Sequence, residues 1–386
     1  MTILMILSII ACASIIIISA ILAAGIKKMK RLGDIETGGT VGGPLVSIVV
    51  PACNEEKNIE KSLLSLLNQD YENLEIIVVN DRSTDNTAAV LQQLQVRFPH
   101  LRVHEIAELP EGWMGKSHAL SIGAALAKGE FLVFTDADVL LKKTTIARAV
   151  GCMSSNRLDH LTLVFKNVTH GWLLNSLILD VGMGLLALTR PWMARNSGNR
   201  CFVGIGAFNM VRRSVYREIG GHEGIRMHPI DDLMLGKMIK QHGFFQDCLL
   251  AYDFVLVPWY DSVSAMVNGL EKNMFALVHY RVWLVPVVLF AIIIPDILPV
   301  WGVILGDNHV RVICFFAVGI RLAVCFKGLR MQDLPWRYLP GFIITPYISC
   351  YIVMKSAFVT KKNGGIIWRG RYYALAELRK TTPLLY

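Results

Sequence analysis

The chain has 386 residues, a formal net charge of +9 and a mean hydropathy of +0.46, and 53% of its residues are hydrophobic. This composition excludes an ordinary soluble protein, because a soluble chain of this length carries less apolar sequence. The positive balance suits an anionic membrane face or a polyanionic small substrate. No basic helix with interleaved aromatic residues is found, so we expect no nucleic acid partner.

The eight cysteines are scattered along the chain and form neither a C-x-x-C pair nor a zinc-finger spacing. Several of them lie in apolar surroundings. This pattern predicts reduced thiols with a structural role, as expected for a protein that faces the cytosol.

The amino-terminal segment predicts a transmembrane anchor over residues 1–26. Residues 2–26 contain no charge, and Met5–Ala24 is long enough to cross a hydrocarbon core about 30 Å thick. A basic cluster follows at residues 27–31, and the positive-inside rule keeps that end in the cytosol. A cleaved signal peptide fits less well, because its positive charges would precede the apolar core.

From residue 45 onward, apolar runs alternate with helical patterns, which indicates βαβ units on a largely parallel sheet. Asn54 is predicted to cap the first helix, and a further helix is expected over Lys116–Lys128. The fold class is therefore α/β. The predicted strands are Val46–Val50, Leu74–Val79, Leu101–Ile106 and Glu130–Thr135.

Apolar segments return in the second half of the chain. Leu284–Leu305, Val310–Phe326 and Trp336–Phe358 are each near spanning length. Basic residues favour the cytosol both before the third segment and after it, so one of the three is expected to be re-entrant or interfacial. Trp172–Met193 is interrupted by polar residues, and we interpret it as an interfacial or buried helix; a membrane hairpin is the alternative.

Acidic side chains follow three of the predicted strands. Asp136 and Asp138 follow the fourth strand, Asp81 follows the second, and Asn54 and Glu55 follow the first. Because the carboxyl ends of the strands in an open α/β sheet share one crevice, we expect these side chains to lie together. Two aspartates this close repel each other unless a cation lies between them, which predicts a divalent metal site.

Two further elements complete the predicted chemistry. Lys116 begins a helix after a glycine-bounded turn, where it offers a cation and backbone donors to phosphate. Asp231 and Asp232 open another predicted helix and are the best candidates for a base that deprotonates a hydroxyl. The simpler alternatives are a surface lysine and two favourable charges in a first helical turn.

These motifs resemble, in order and in approximate spacing, those of family 2 glycosyltransferases over about Leu45–Gly243. The resemblance implies a GT-A fold, a nucleotide-diphosphate sugar donor with a UDP-sugar expected, inversion at the anomeric carbon, and Mg²⁺ or Mn²⁺. The residues that support it are Val46–Glu56, Asn80–Thr87, Gly115-Lys116, Asp136-Ala137-Asp138, Gly206–Gly221 and Asp231-Asp232-Leu233.

Carried over residue by residue, the resemblance assigns roles within this site. It implies that Asp232 is the catalytic base, with Asp231 in the preceding acidic position. Asp81 would bind the nucleotide, and Asp136 and Asp138 would hold the metal and the diphosphate. The other expected donor-binding residues are Pro51, Asn54, Glu55 and Lys116.

The sequence indicates the acceptor substrate less directly than the donor. The amino-terminal anchor, Gly112–Lys116 and Trp368–Tyr372 resemble membrane enzymes that glycosylate lipids, of the hopene-associated, carotenoid and ceramide types. The Gln-x-x-Arg-Trp motif of processive polysaccharide synthases is absent, and Arg281-Val282-Trp283 matches it only loosely. We therefore expect a hexosyltransferase that moves a single sugar to a membrane lipid. The alternatives are a processive synthase and a non-catalytic nucleotide-binding membrane protein.

The sequence predicts an integral protein of a bacterial plasma membrane with its catalytic domain in the cytoplasm. Trp368, Arg369 and Tyr372 are interpreted as interfacial anchors, with an acceptor lid as the alternative. His222 and His228 are interpreted as solvated loop residues, with a place in the acceptor site as the alternative. The predicted regions are a transmembrane anchor at 1–26, a basic linker at 27–44, a GT-A domain at 45–280, transmembrane or re-entrant helices at 281–360, and a basic interfacial tail at 361–386.

Overall fold

The computed structural model describes residues 3–37 and 42–381. It divides the chain into two compact units. The sheet unit comprises Met29–Val168 and Arg190–Trp259, and the helical unit comprises Met1–Lys28, Thr169–Thr189 and Tyr260–Tyr386. Residues 1–2 of the predicted anchor, 38–41 of the predicted linker and 382–386 of the predicted tail lie outside the described residues.

The strands are short and all but the last two belong to the sheet unit. They are β1 (Val46–Ala52), β2 (Leu74–Asp81), β3 (Leu101–Ile106), β4 (Phe131–Phe134), β5 (Leu140–Leu141), β6 (His160–Val164), β7 (Lys166–Asn167), β8 (Asn209–Arg212), β9 (Gln246–Leu250), β10 (Val255–Val257), β11 (Gly365–Trp368) and β12 (Arg371–Ala374).

The helices range from one turn to more than six turns. They are α1 (Ile3–Lys28), α2 (Ile59–Leu67), α3 (Thr87–Arg97), α4 (Gly115–Leu126), α5 (Thr145–Ser155), α6 (Trp172–Thr189), α7 (Arg213–Glu218), α8 (Asp231–Gln241), α9 (Val263–Leu277), α10 (Leu284–Ile292), α11 (Leu298–Leu305), α12 (Asn308–Met331), α13 (Gly341–Lys362) and α14 (Leu375–Leu378).

The main sheet has the strand order β3-β2-β1-β4-β8-β6-β9. The pairs β2–β3, β1–β2, β1–β4 and β6–β9 are parallel, and only β8 runs antiparallel to its two neighbours. Every residue of β1 except Pro51 is buried, and so is all of β4, which is the pattern of strands covered on both faces. The predicted α/β class with a mostly parallel sheet is confirmed.

The loop after β1 differs from the prediction. The expected helix cap at Asn54 is wrong, because α2 begins only at Ile59. Asn54 has a φ of 57°, and its side-chain oxygen accepts a hydrogen bond from the Thr84 N–H at 2.7 Å. Asn54 therefore joins the loop after β1 to the loop after β2, which brings the ends of these two strands together.

The helical unit contains long apolar helices. All eight cysteines lie within the described residues as free thiols. Within the described residues, five helices are long and apolar enough to cross a membrane, and they include the predicted anchor and the segment interpreted as interfacial or buried. These five are Ile3–Lys28, Trp172–Met193, Leu284–Leu305, Asn308–Met331 and Gly341–Lys362.

A charged cluster joins four segments of the helical unit. Arg321 of α12 lies 3.1 Å from an Asp180 carboxylate oxygen on α6 and 3.1 Å from Asp296, which belongs to a π-helical turn at Ile293–Ile297. The Thr345 hydroxyl of α13 donates to Asp180 at 2.6 Å. We call these four side chains the Arg321 cluster. Charged groups among apolar helices are costly unless they are paired, so the cluster fixes how these segments pack.

Candidate functional site

The candidate site forms where the parallel strands β1, β2 and β4 end. Asp81 is the last residue of β2, and Asp136 and Asp138 follow β4 directly. The loop after β1 carries Asn54 and Glu55, and the Glu55 N–H donates to the Thr87 hydroxyl at 2.8 Å. The shared direction of these strands therefore gathers the predicted acidic residues at one edge of the sheet.

Asp81 lies beside the amino terminus of α4. Asp81 is 4% exposed, and its carboxylate accepts two hydrogen bonds from Arg82, at 2.7 and 3.0 Å. A Cβ added at Gly115, the first residue of α4, would collide with the Asp81 carboxylate. Glycine at this position therefore lets the helix start, with its free N–H groups, approach Asp81.

Lys116 connects two of the acidic groups. Its Nζ lies 2.7 Å from Asp136 Oδ1 and 3.8 Å from Asp231 Oδ2. Burial alone would lower the pKa of Lys116, but the charges of Asp136, Asp231 and Asp232 raise it above its ordinary value. Lys116 is therefore a permanent cation between the end of β4 and the start of α8.

Asp232 is held in place by backbone amides. Its Oδ2 accepts from the Gly206 N–H at 2.8 Å, and its Oδ1 accepts from the Leu233 N–H at 2.8 Å. Burial, followed by the charge of Asp231, raises the pKa of Asp232 to about 6. The side chain is thus a positioned carboxylate with increased basicity, which is the property that a general base needs.

Gly206 lies among these charged groups. A Cβ added there would be 3.1 Å from Asp136 Oδ2, 3.4 Å from Asp232 Oδ2 and 3.4 Å from Lys116 Nζ. Lys116, Asp136 and Asp232 therefore converge on one small volume, which a larger side chain at position 206 would occupy.

Gly204 fixes the start of α8 through close backbone contact. A Cβ added at Gly204 would collide with the backbone carbonyl group of Asp232. Relieving this collision requires a backbone shift in one of the two segments. We expect Gly204→Ala to destabilise the protein by about 1–3 kcal/mol and to displace Asp232. Thermal denaturation and transfer assays measure the two effects.

Gly33→Ala is the matched control for Gly204→Ala. A Cβ at Gly33 would meet the Phe254 ring at 3.4 Å, an ordinary contact distance, in the same sheet unit. A Gly204→Ala protein as stable and active as the Gly33→Ala protein would contradict the proposed close approach.

Asp136 and Asp138 fit a particular kind of metal site. Burial, followed by repulsion from the charges of Asp136 and Glu55, raises the pKa of Asp138 to about 7. Among residues 3–37 and 42–381, no group of three His, Cys, Asp or Glu side chains is arranged to hold a metal ion. Mg²⁺ often binds one or two carboxylates together with substrate phosphates, and the residues present fit that class.

The two histidines near α8 are not solvated, so that interpretation is wrong. His222 is 1% exposed and His228 is 3% exposed. The Nδ1 atom of His222 lies 2.8 Å from the Tyr216 hydroxyl, and burial, followed by the charge of Lys116, lowers the pKa of His222 to about 3. His222 is therefore a neutral core residue that supports the segment before α8. Its loop sequence carries no signal of burial.

Comparisons with known proteins bear on the family and on the fold. Residues 47–220 match the family model for glycosyl transferase family 2. An uncharacterized glycosyltransferase of Haemophilus influenzae is 37% identical over 119 residues, which are 31% of this chain and 35% of the relative. The 4,4'-diaponeurosporenoate glycosyltransferase of Staphylococcus haemolyticus is 27% identical over 246 residues, 59% of this chain and 60% of the relative. The matches thus span between about a third and three fifths of these relatives.

A solved structure shares the fold. The mannosyltransferase PcManGT from Pyrobaculum calidifontis, in complex with GDP-Man and Mn²⁺, aligns with a TM-score of 0.54 and 18% identity. The alignment covers 89% of this chain and 99% of that one. At this identity the likeness concerns the fold, and it confirms the predicted GT-A architecture. The family match at residues 47–220, the relatives and the shared fold agree that this part of the chain is similar to family 2 glycosyltransferases.

Proposed function

We propose that this protein transfers a single sugar from a nucleotide-diphosphate sugar to a hydroxyl group of a membrane lipid, with inversion at the anomeric carbon. The observation that carries the proposal is the convergence of Asp232, Lys116 and Asp136 around Gly206. A positioned carboxylate thereby faces a cation and a second carboxylate at the ends of the parallel strands. This arrangement brings a proton acceptor close to the residues that would hold a leaving group.

The donor is proposed to lie at the ends of β1, β2 and β4. Asp81 would accept hydrogen bonds from the nucleotide beside the start of α4, where free N–H groups suit phosphate. Pro51, Asn54 and Glu55 would form the neighbouring wall, because Pro51 is near the end of β1 and the other two follow it. A UDP-sugar is the proposed donor, and GDP-mannose is the first alternative because the solved mannosyltransferase is in complex with it.

Mg²⁺ or Mn²⁺ is the proposed cofactor, held by Asp138 and Asp136. When bound, the cation would neutralise the diphosphate and support its departure. The mannosyltransferase with the shared fold is in complex with Mn²⁺. Lys116 supplies a second, fixed positive charge 2.7 Å from Asp136, so the chain itself contributes to the neutralisation.

Asp232 is the proposed general base. Its carboxylate would take the proton of the acceptor hydroxyl while that oxygen attacks the anomeric carbon. The bond between the anomeric carbon and the diphosphate breaks on the opposite side, and the electron pair leaves with the diphosphate. One displacement of this kind inverts the configuration. Asp231 would raise the basicity of Asp232 through its charge.

A membrane lipid is the proposed acceptor. In the part of the chain that the structure describes, five helices are long and apolar enough to cross a membrane, and a relative is a glycosyltransferase named for 4,4'-diaponeurosporenoate. The basic residues at 27–31 follow α1, so the positive-inside rule favours a cytosolic sheet unit. We therefore propose a bacterial plasma membrane protein that acts on its cytosolic side.

A donor panel tests this function. Purified protein is incubated with UDP- and GDP-sugars, with Mn²⁺ or Mg²⁺ or with a chelator, and release of the nucleotide diphosphate is measured. We expect release from one donor, lost on chelation and increased by a membrane lipid extract as acceptor.

The same panel separates the alternatives. A single glycosylated lipid product is expected, whereas a ladder of oligomers would favour a processive polysaccharide synthase. Donor binding without release from any donor, with metal and lipid present, would favour a nucleotide-binding membrane protein.

A further inference from the structure

A cavity of about 350 Å³ lies within the helical unit, among α9, the carboxyl end of α13 and the hairpin formed by β11 and β12. All of its lining residues belong to the helical unit. The lining is polar or charged at many positions, and it lies at the end of a helix apolar enough to span a membrane. Its polar and aromatic residues include Asn268, Glu271, Lys272, Asn363, Trp368 and Arg369.

Positive charge predominates at this cavity. Glu271 pairs with Lys355 at 2.9 Å, and Lys355 also donates to the Asn268 side-chain oxygen at 2.6 Å. Lys272 and Arg369 add two further positive charges to the lining. The wall and its supporting lysine therefore carry three positive charges against one negative charge, which favours an anionic ligand.

The hairpin positions these charges. The Lys272 ammonium lies 3.3 Å from the centre of the Trp368 ring, a cation–π contact between α9 and β11. Arg369 and Gly370 connect the strands with φ angles of 46° and 77°, as a two-residue type I′ turn requires. The tight turn places Arg369 at the tip of the hairpin, where it lines the cavity.

The cavity lies at the depth of lipid headgroups when α13 crosses a membrane. It takes Val359, Thr360 and Asn363 from the carboxyl end of α13, next to the exposed Lys361 and Lys362. Lysines at the end of a spanning helix lie at the membrane surface.

The hairpin also has the composition of a membrane interface. It exposes an aliphatic and an aromatic side chain, since Ile367 is 64% exposed and Tyr372 is 52% exposed. Aromatic side chains of this kind are enriched at headgroup level. The position at a span end and the exposed hairpin together favour a lipid over a soluble ligand.

We propose that this cavity binds the phosphate headgroup of an anionic membrane lipid. Lys272 and Arg369 provide the charge, and Asn268 and Asn363 provide amide groups that can hydrogen-bond to phosphate oxygens. The site goes beyond the proposed sugar transfer, because it needs neither Asp232 nor the donor. Its ligand is a bound lipid and not the group that receives the sugar.

Lipid retention tests the proposal. The full chain is placed in nanodiscs of phosphatidylcholine with or without phosphatidylglycerol, and tightly bound lipid is counted by native mass spectrometry. We expect the unmodified protein to retain phosphatidylglycerol. Lys272→Gln and Arg369→Asn, each tested as a single substitution, should lower the affinity for this lipid about fivefold. Asparagine is chosen at position 369 because it tolerates a positive φ.

Lys361→Gln is the matched control, since Lys361 is an exposed lysine on the last turn of α13 that does not line the cavity. It should retain the lipid as the unmodified protein does. Equal loss in Lys361→Gln, or full retention in folded Lys272→Gln and Arg369→Asn proteins, would overturn the site.

A charge-conserving variant and a competition with inorganic phosphate test the charge and the source of the ligand. Lys272→Arg keeps the charge and should keep the lipid, so loss of the lipid in that folded variant would overturn the electrostatic account. Inorganic phosphate should not displace the lipid at equal concentration, and displacement would show that free phosphate, and not a lipid headgroup, is the ligand.

Discussion

Asp232→Asn should lower the rate of sugar transfer about 10²–10⁴-fold while donor affinity stays nearly unchanged. Asparagine keeps the size of the side chain but cannot take a proton from the acceptor hydroxyl. The donor is proposed to contact Asp81, Asp136 and Asp138, so its binding does not depend on this carboxylate. Single-turnover rates and titration with the nucleotide diphosphate measure the two quantities separately.

The substitution also changes hydrogen bonding. Both oxygens of Asp232 accept from backbone amides, those of Gly206 and Leu233, and asparagine can accept only one of these bonds well. Part of the rate loss could therefore come from displacement of the side chain. The pH profile of Asp232→Asn separates loss of the base from displacement of the side chain. If displacement alone lowers the rate, the ionisation of a base still appears in the profile of this variant, whereas loss of the base removes it.

The ionisation of Asp232 determines the direction in which the transfer rate changes with pH. A base acts in its deprotonated form, so the rate of the unmodified enzyme should fall as the pH drops through about 6. Asp231→Asn is the matched variant, since it removes the neighbouring charge that helps to raise the pKa of Asp232. Its acid limb should move to lower pH. An unshifted limb, or a rate in Asp232→Asn close to that of the unmodified enzyme, would contradict the assignment.

Three of the first four strands, β1, β2 and β4, were predictable because each is a largely buried apolar run with a turn on either side. β1 and β4 lie near the centre of a mostly parallel sheet, and continuous burial leaves a local signal in the sequence. β8 left no such signal. It is four residues long, and its place beside β4 depends on antiparallel pairing with a segment about 75 residues earlier in the chain. Such long-range pairing follows from packing and not from local periodicity.

The residues of the candidate site also differ in whether the local sequence predicts their positions. Strand ends placed Asp81, Asp136 and Asp138 at one edge, and the start of a helix marked Asp232, so these positions followed from local patterns. The direct contact of Lys116 with Asp136 and the amide of Gly206 on Asp232 did not. Both contacts join segments that are distant in the chain. Asn54 shows the same limit, because a residue with good capping chemistry instead bonds to a neighbouring loop.

Arg321→Met should destabilise the helical unit by about 3–5 kcal/mol. The guanidinium lies between Asp180 and Asp296 in the Arg321 cluster, and its side chain is 11% exposed. Methionine fills much of the same volume but leaves two carboxylates close together among apolar helices. Loss of one partner from a buried ion cluster costs more than loss of the whole cluster, because the remaining charge has no compensation.

Two variants test this reasoning by thermal denaturation in one detergent or lipid. Arg311→Met changes an exposed arginine on the same helix α12, and its midpoint should stay close to that of the unmodified protein. The triple variant Arg321→Met, Asp180→Leu, Asp296→Leu removes every charge of the cluster and should recover most of the lost stability. If the triple variant were less stable than Arg321→Met alone, the carboxylates would have a stabilising role of their own, and uncompensated charge could not explain the loss. Recovery would instead show that the loss in Arg321→Met comes from the two uncompensated carboxylates.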